Sequence, residues 1–372
     1  PLLDTVNLLA AVRHEDFSGG LSATVYKVSG KWDVTPNLAI RGSYGDNFQA
    51  PPATLQPGNV TNAVRSYAIA AGNWRGAQFV TRSDVVPETA ISWNAGAIWQ
   101  SQGLTADSDF RIIVDYFDIQ TEDELGQLAD VNDIANAVFS GAVAPNGFNY
   151  ADCGHALVDR VTFNGGSCVA GTTTADDFAS IRTDFGNGPG QHTAGIDFTT
   201  DYSFPFFAGD LRLGATATKV EIYEIGATTL DGVLIEPARD QLGLLNFATI
   251  AVARPEWRAN FNANYNTGAH NFRAVLNYVS AVEDARGPLT PSGFIPGTFD
   301  PYGPTDYGVD GENYVTGDFH YQFETPWDAT ISASVVNVTD EDPPAAREEF
   351  GYDPLLGSPL GRTIEFGIRK TF

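Results

Sequence analysis

Apolar and polar side chains alternate along this chain with a period of two, in segment after segment. In "EWRANFNANY" Trp257, Ala259, Phe261, Ala263 and Tyr265 share one parity, and Arg258, Asn260, Asn262 and Asn264 hold the other. "NYVTGDFHYQFE" sets Val315, Gly317, Phe319, Tyr321 and Phe323 against Thr316, Asp318, His320, Gln322 and Glu324. The closing "GRTIEFGIRKTF" does the same with Ile364, Phe366, Ile368 and Phe372. A period of two is a strand with one apolar and one polar face. Applied throughout, it predicts strands at 5–15, 20–33, 36–49, 88–102, 107–121, 191–204, 209–223, 253–266, 269–282, 311–324, 327–340 and 362–372. A further extended stretch, 177–187, is expected outside this set.

The connections alternate between tight (33–37, 102–106, 204–209, 266–269, 324–327) and long (50–87, 122–176, 224–252, 283–310, 341–361). That rhythm predicts an all-β, transmembrane, antiparallel up-and-down β-barrel, with short periplasmic turns and long extracellular loops. Strands near membrane-crossing length and aromatics toward their ends (Trp32, Trp99, Trp257, Tyr265, Trp327, Phe372) agree. A soluble β-sandwich or β-helix is the competing reading. The regular polar parity argues for a wet lumen instead.

The net charge of −25 excludes nucleic acid, which needs a basic footprint. Its plainest meaning is solubility and self-repulsion. No run approaches the ~18 apolar residues of a spanning helix, an absence that does not touch barrels. Cys153 and Cys168 lie in a polar, Gly-rich segment, which predicts a local disulfide in an oxidising compartment. Two free thiols, or a zinc site including His155, are the competing readings.

Four stretches, in order, resemble the TonB-dependent outer-membrane receptors. "NLAIRGSYGDNFQAPPATLQ" is similar to their "R-x-S-Y-x-x-x-F-x-A-P" stretch, and "VVPETAISWNAGAIWQ" to a strand with "P-E" and a later Gly. "GQHTAGIDFTTDYSF" resembles their "G-I-D-x-x-x-x-Y" strand. "NVTDEDPPAAREEFGYDPLLGSPLGRTIEFGIRKTF" is similar to their ending: "N-x-x-D-x-x-P", a Tyr, "G-R", and a last strand finishing in Phe. The resemblance implies a Gram-negative outer-membrane barrel of about 22 strands around an N-terminal plug. Residues 1–372 are then its C-terminal portion, about twelve strands, with the plug absent and Pro1 not the biological N-terminus. Strand 5–15 should continue a ladder whose earlier members lie elsewhere. Further implications are contact with the inner-membrane TonB complex through the plug, and Phe366, Ile368 and Phe372 as a signal to the barrel-assembly machinery. Lipid, lipopolysaccharide and a small-molecule ligand complete the expected partners.

No catalytic constellation is present, so an enzyme is not expected. Carboxylates in "EDE" (122–124) and "TDEDPP" (339–344) lack the spacing of a dedicated calcium loop, leaving loosely bound divalent cations as the one cofactor reading and no resident metal. Function rests on shape: active transport of a scarce solute of siderophore, vitamin or oligosaccharide class. A passive porin, or a structural surface barrel that anchors a partner through its loops, is the alternative. Candidate ligand contacts are Arg41, Arg258, Arg273, Asp318 and His320 on the polar parity, and the loop aromatics Tyr67 and Trp74. The same aromatics would equally serve as cores for the loops.

Overall fold

The computed structural model describes residues 5–17, 22–105, 107–246, 252–284, 310–346 and 351–370. Twelve strands form one antiparallel sheet in which spatial order equals chain order. They are β1 (Val6–Asp16), β2 (Ser22–Asp33), β3 (Leu38–Gln49), β4 (Glu88–Gln102), β5 (Asp109–Glu122) and β6 (Gln191–Phe206). Then follow β7 (Gly209–Ile225), β8 (Trp257–Thr267), β9 (His270–Val279), β10 (Tyr314–Glu324), β11 (Ala329–Val336) and β12 (Thr363–Lys370). The sheet is open: among the described residues β1 pairs only with β2, and β12 only with β11.

Every predicted strand is present, with ends shifted by a few residues. β8 begins at Trp257 rather than 253 because Pro255 interrupts the ladder and Val252–Ala253 pairs with Leu244–Asn246 instead. β11 stops at Val336 because Asn337 turns into the left-handed region (φ 53) and caps the bend, accepting from Glu341 N–H at 2.9 Å.

The apolar parity faces outward. Trp257 and Phe261 are 40% and 47% exposed, and Trp93, Leu276, Val315 and Phe319 stand exposed on the same face. Burying a large apolar side chain is worth about 1.5–3 kcal/mol, so a water-soluble sheet would not leave such a continuous face uncovered. The sandwich reading, which needs that row sealed in a core, is therefore overturned.

The first three long connections are not simple loops. Those after β3 and β5 build a second sheet from Val60–Tyr67, Asn73–Thr81, Phe178–Asn187, Leu125–Gln127 and Val161–Phe163. Phe178–Asn187 is the extended stretch expected off the main sheet, and it pairs in parallel with Asn73–Thr81. Helix α1 (Val131–Val138) packs Ile134, Ala135 and Val138 onto this sheet, its N-terminus capped by Asp130, which accepts from Asn132 N–H. The hairpin Thr228–Glu236 from the third long connection inserts Leu230 into the same core. We call this unit the cap.

Candidate functional site

Across the middle of the wall one polar row runs from strand to strand: Lys31, Arg41, Gly96, Asp115, Asp197, Thr218 and Arg258 are register partners in sequence. Arg41 reaches over β4 to Asp115, Nε donating to Oδ1 at 2.8 Å and Nη2 to Oδ2 at 2.5 Å. Gly96 makes this fork feasible, since a Cβ there would stand 1.9 Å from Asp115 Oδ1. Asp197 accepts from Thr218 Oγ1 at 2.6 Å, and Arg258 Nη2 donates to the Leu355 carbonyl at 2.7 Å. Arg41, Asp115, Asp197, Thr218 and Arg258 line one groove of about 590 Å³.

Nearer the tight turns the face carries an amide ladder. Asn260 donates to Asn277 at 2.6 Å, Asn277 to Asp318 at 3.1 Å, and Asn271 to Asn264 at 3.0 Å. Asp318 also accepts from Asn337 N–H at 2.8 Å, so it fixes the chain's departure from β11. Arg273 and His320 are register neighbours, and His320 Nδ1 lies 2.9 Å from Ser334 Oγ. Thus all five wall candidates share one face, but only Arg41 and Arg258 meet in one groove. The alternation found these positions. It did not single out Asp115, Asp197 or Gly96, because their roles depend on register between strands rather than on parity within one.

Tyr67 and Trp74 are elsewhere, in the cap. Tyr67 is fully buried, its ring edge-on to Phe178 (5.0 Å) and its hydroxyl donating to the Gly76 carbonyl at 2.8 Å. Burial, with help from Asp130, pushes its phenol up to about 12. This corrects its candidacy as a ligand contact: a ring walled in on all sides is core. Trp74 is 71% exposed on the adjoining strand. Arg160, almost fully buried, donates to Asp231 at 2.6 Å and to Asp184 at 2.9 Å, bolting the inserted hairpin to the cap sheet. Burial works against the Arg160 cation, but these bonds outweigh it and raise its pKa further. In return Arg160 holds the Asp231 carboxyl below the usual carboxylate range. Nothing in the reading of strands found that hairpin. Its signal was the pair Asp231-Gly232, both at positive φ, which is the two-residue turn that matches strand twist.

Cys153 and Cys168 form a disulfide with Cα atoms 5.5 Å apart, which removes the free-thiol and zinc readings. His155 instead accepts from Leu157 N–H at 3.2 Å. Among the described residues no three His, Cys, Asp or Glu side chains converge as a cation site. Phe366 and Ile368 point outward from β12, while Phe372 lies outside the described residues.

Comparison with curated protein sequences gives no match. Solved structures do match. The siderophore receptor PirA from Acinetobacter baumannii aligns over 99% of this chain and 44% of its own length, at 12% identity and TM-score 0.61. The ferric enterobactin receptor PfeA from Pseudomonas aeruginosa aligns over 99% and 43%, at 12% identity and TM-score 0.60. PirA from Pseudomonas aeruginosa gives 98% and 45%, at 10% identity and TM-score 0.52. The chain therefore spans less than half the length of these neighbours, and the likeness is one of fold. A family model described as "TonB dependent receptor-like, beta-barrel" matches residues 1–338, most of the chain. With its two-faced wall and its order of strands, the protein belongs to the β-barrel family of TonB-dependent receptors.

Proposed function

We propose that this chain forms the C-terminal portion of an outer-membrane barrel that imports a scarce solute by TonB-dependent active transport in a Gram-negative bacterium. The observation that carries the reading is the wall itself. Its apolar parity stands outward, where hydrocarbon would cover it, while arginines, aspartates and an asparagine ladder line the other face. A polar lumen wall offers a solute successive weak partners, and energy input is then needed only to move the plug that blocks the way. The long connections are extracellular in this reading, with the cap as the first surface a solute meets. The C-terminal aromatic strand serves barrel assembly, and the acidic loops sit among lipopolysaccharide headgroups with bridging divalent cations. Because the similar structures include siderophore receptors, a ferric siderophore is the first ligand class to test.

The test is uptake by cells carrying the full-length receptor, under iron limitation and with a panel of labelled ferric siderophores. Accumulation should vanish when either the receptor or TonB is deleted. Uptake that persists without TonB would reassign the barrel as a passive porin. Absence of any TonB-dependent uptake, across siderophores, cobalamin and oligosaccharides, would leave the anchoring role.

A further inference from the structure

At the long-connection end of the polar face lies a cavity of about 330 Å³ whose lining includes Thr193, Tyr223, Arg254, Glu256, Arg258 and Leu355. It carries two guanidinium groups and one carboxylate, a local excess of positive charge in a chain of net charge −25. Arg254 lies over the Tyr223 ring, 4.7 Å from its centroid, and Nη1 donates to the Ala253 carbonyl at 3.4 Å. Arg258 donates to the Leu355 carbonyl. Among the described residues neither has a carboxylate partner, whereas Arg41, Arg160, Arg212 and Arg239 are each paired with one. The Tyr223 ring is held in place by its hydroxyl, which donates to Gln191 Oε1 at 2.9 Å. Thr218 and Arg258 also line the groove below, so the cavity opens onto the top of the polar row.

Two arginines whose acceptors among the described residues are backbone carbonyls keep most of their N–H groups for a ligand, and a planar fork suits a carboxylate. A fixed aromatic ring and apolar walls suit a flat, unsaturated body. We propose that this cavity recognises a small aromatic carboxylate, or an aromatic-acid portion of a larger solute. Arg254 and Arg258 take its anionic group, and Tyr223 and Leu355 flank its ring. The assignment rests on the import reading for its biological role, not for its chemistry.

The probes are salicylate and its neutral counterpart salicylamide, titrated into full-length receptor in detergent and followed by calorimetry. Salicylate should bind at least about tenfold more tightly than salicylamide. Arg254→Gln and Arg258→Gln should each weaken salicylate about tenfold and leave salicylamide unchanged, with Arg258→Lys recovering part of the loss. Arg212→Gln, near the tight turns and paired with Asp201, should alter neither. Each variant is first checked for the heat-modifiable gel mobility of a folded barrel. Equal affinity for the two probes, or full salicylate affinity in the Arg254→Gln/Arg258→Gln double variant, overturns the proposal. If that double variant loses salicylate but the wild type shows no TonB-dependent uptake of any solute, the site stands and import fails. If TonB-dependent uptake persists while salicylate binding ignores both charges, the reverse holds.

Discussion

The wall and the cap are made from the same kinds of residue and turn them in opposite directions. In the wall Phe261 and Trp257 are exposed and the amides of Asn260 and Asn277 bond to each other. In the cap Tyr67, Phe139 and Phe178 are fully buried, and most of the polar side chains lie on the surface. The wall is stable only where something apolar covers its outer face. The cap carries its own core of helix, sheet and disulfide, as a water-soluble domain does. Two long connections that are separate in sequence become one folding unit, joined by parallel pairing and clipped at the rim. There Asn187 accepts from Val86 N–H and donates to the carbonyls of Val86 and Asp123. These connections therefore pack as one cored body rather than as independent loops.

If the cap is a separately cored unit, core damage there should not reach the wall. Phe178→Ala removes the ring that Tyr67, Phe139 and Arg75 all pack against. It should lower cap stability by about 4 kcal/mol. The measurement is amide hydrogen exchange resolved by segment. Residues 60–81 and 125–187 should lose protection while 257–279 keeps it. Parallel loss in both would show that cap and wall unfold together and that the distinction is only topological. The disulfide gives the next effect. Cys153→Ser with Cys168→Ser reopens a loop with a sequence separation of 15, at a cost of about 3 kcal/mol by the same readout.

The wall is tested by neighbours of opposite parity. Phe261→Arg places a charge on the face assigned to lipid and should cost about 2–3 kcal/mol in reversible unfolding from bilayers. Asn262→Arg, one residue away on the polar face and outside the amide ladder, should change stability by less than about 0.5 kcal/mol. Equal penalties would mean that the two faces see similar surroundings, and the membrane assignment would fall.

These two regions were not equally legible in the sequence. Strand parity is a local property, so the wall strands and the shared face of Arg41, Arg258 and His320 could be read from one segment at a time. Pairing across the wall could not, because the partner of Arg41 is Asp115, two strands away, and the space for it depends on a glycine on the strand between. Apart from the extended stretch at 177–187, the cap reads as loop for a related reason. Two strands of its sheet are only three residues long, its helix is eight residues, and its core forms only when segments around 67, 134, 178 and 230 converge. Tyr67 illustrates the ambiguity. An aromatic in a polar stretch can contact a ligand or seed a core, and only the arrival of Phe178 decides between them.

The smallest effect probes the electrostatic difference between the regions. Asp133, in the first turn of α1, is half-buried, and burial together with the charges of Asp130 and Glu236 pushes its carboxyl up to about 6. A carboxyl whose folded pKa lies above its ordinary value of 3.8 opposes folding once it is ionised. Its penalty is absent below that value, grows as pH rises toward about 6, and is complete above it. The shift of about two pH units sets an upper limit near 3 kcal/mol, which solvent screening of a half-exposed group reduces to about 1 kcal/mol. The position near the helix N-terminus, which favours the anion, trims it further. Asp133→Asn should therefore stabilise the cap by about 1 kcal/mol at pH 8 and by almost nothing at pH 3.5, with no change in wall exchange at either pH. A gain independent of pH would mean that the substitution acts through packing or helix propensity. In that case charge on α1 would not be what limits the cap's stability at neutral pH.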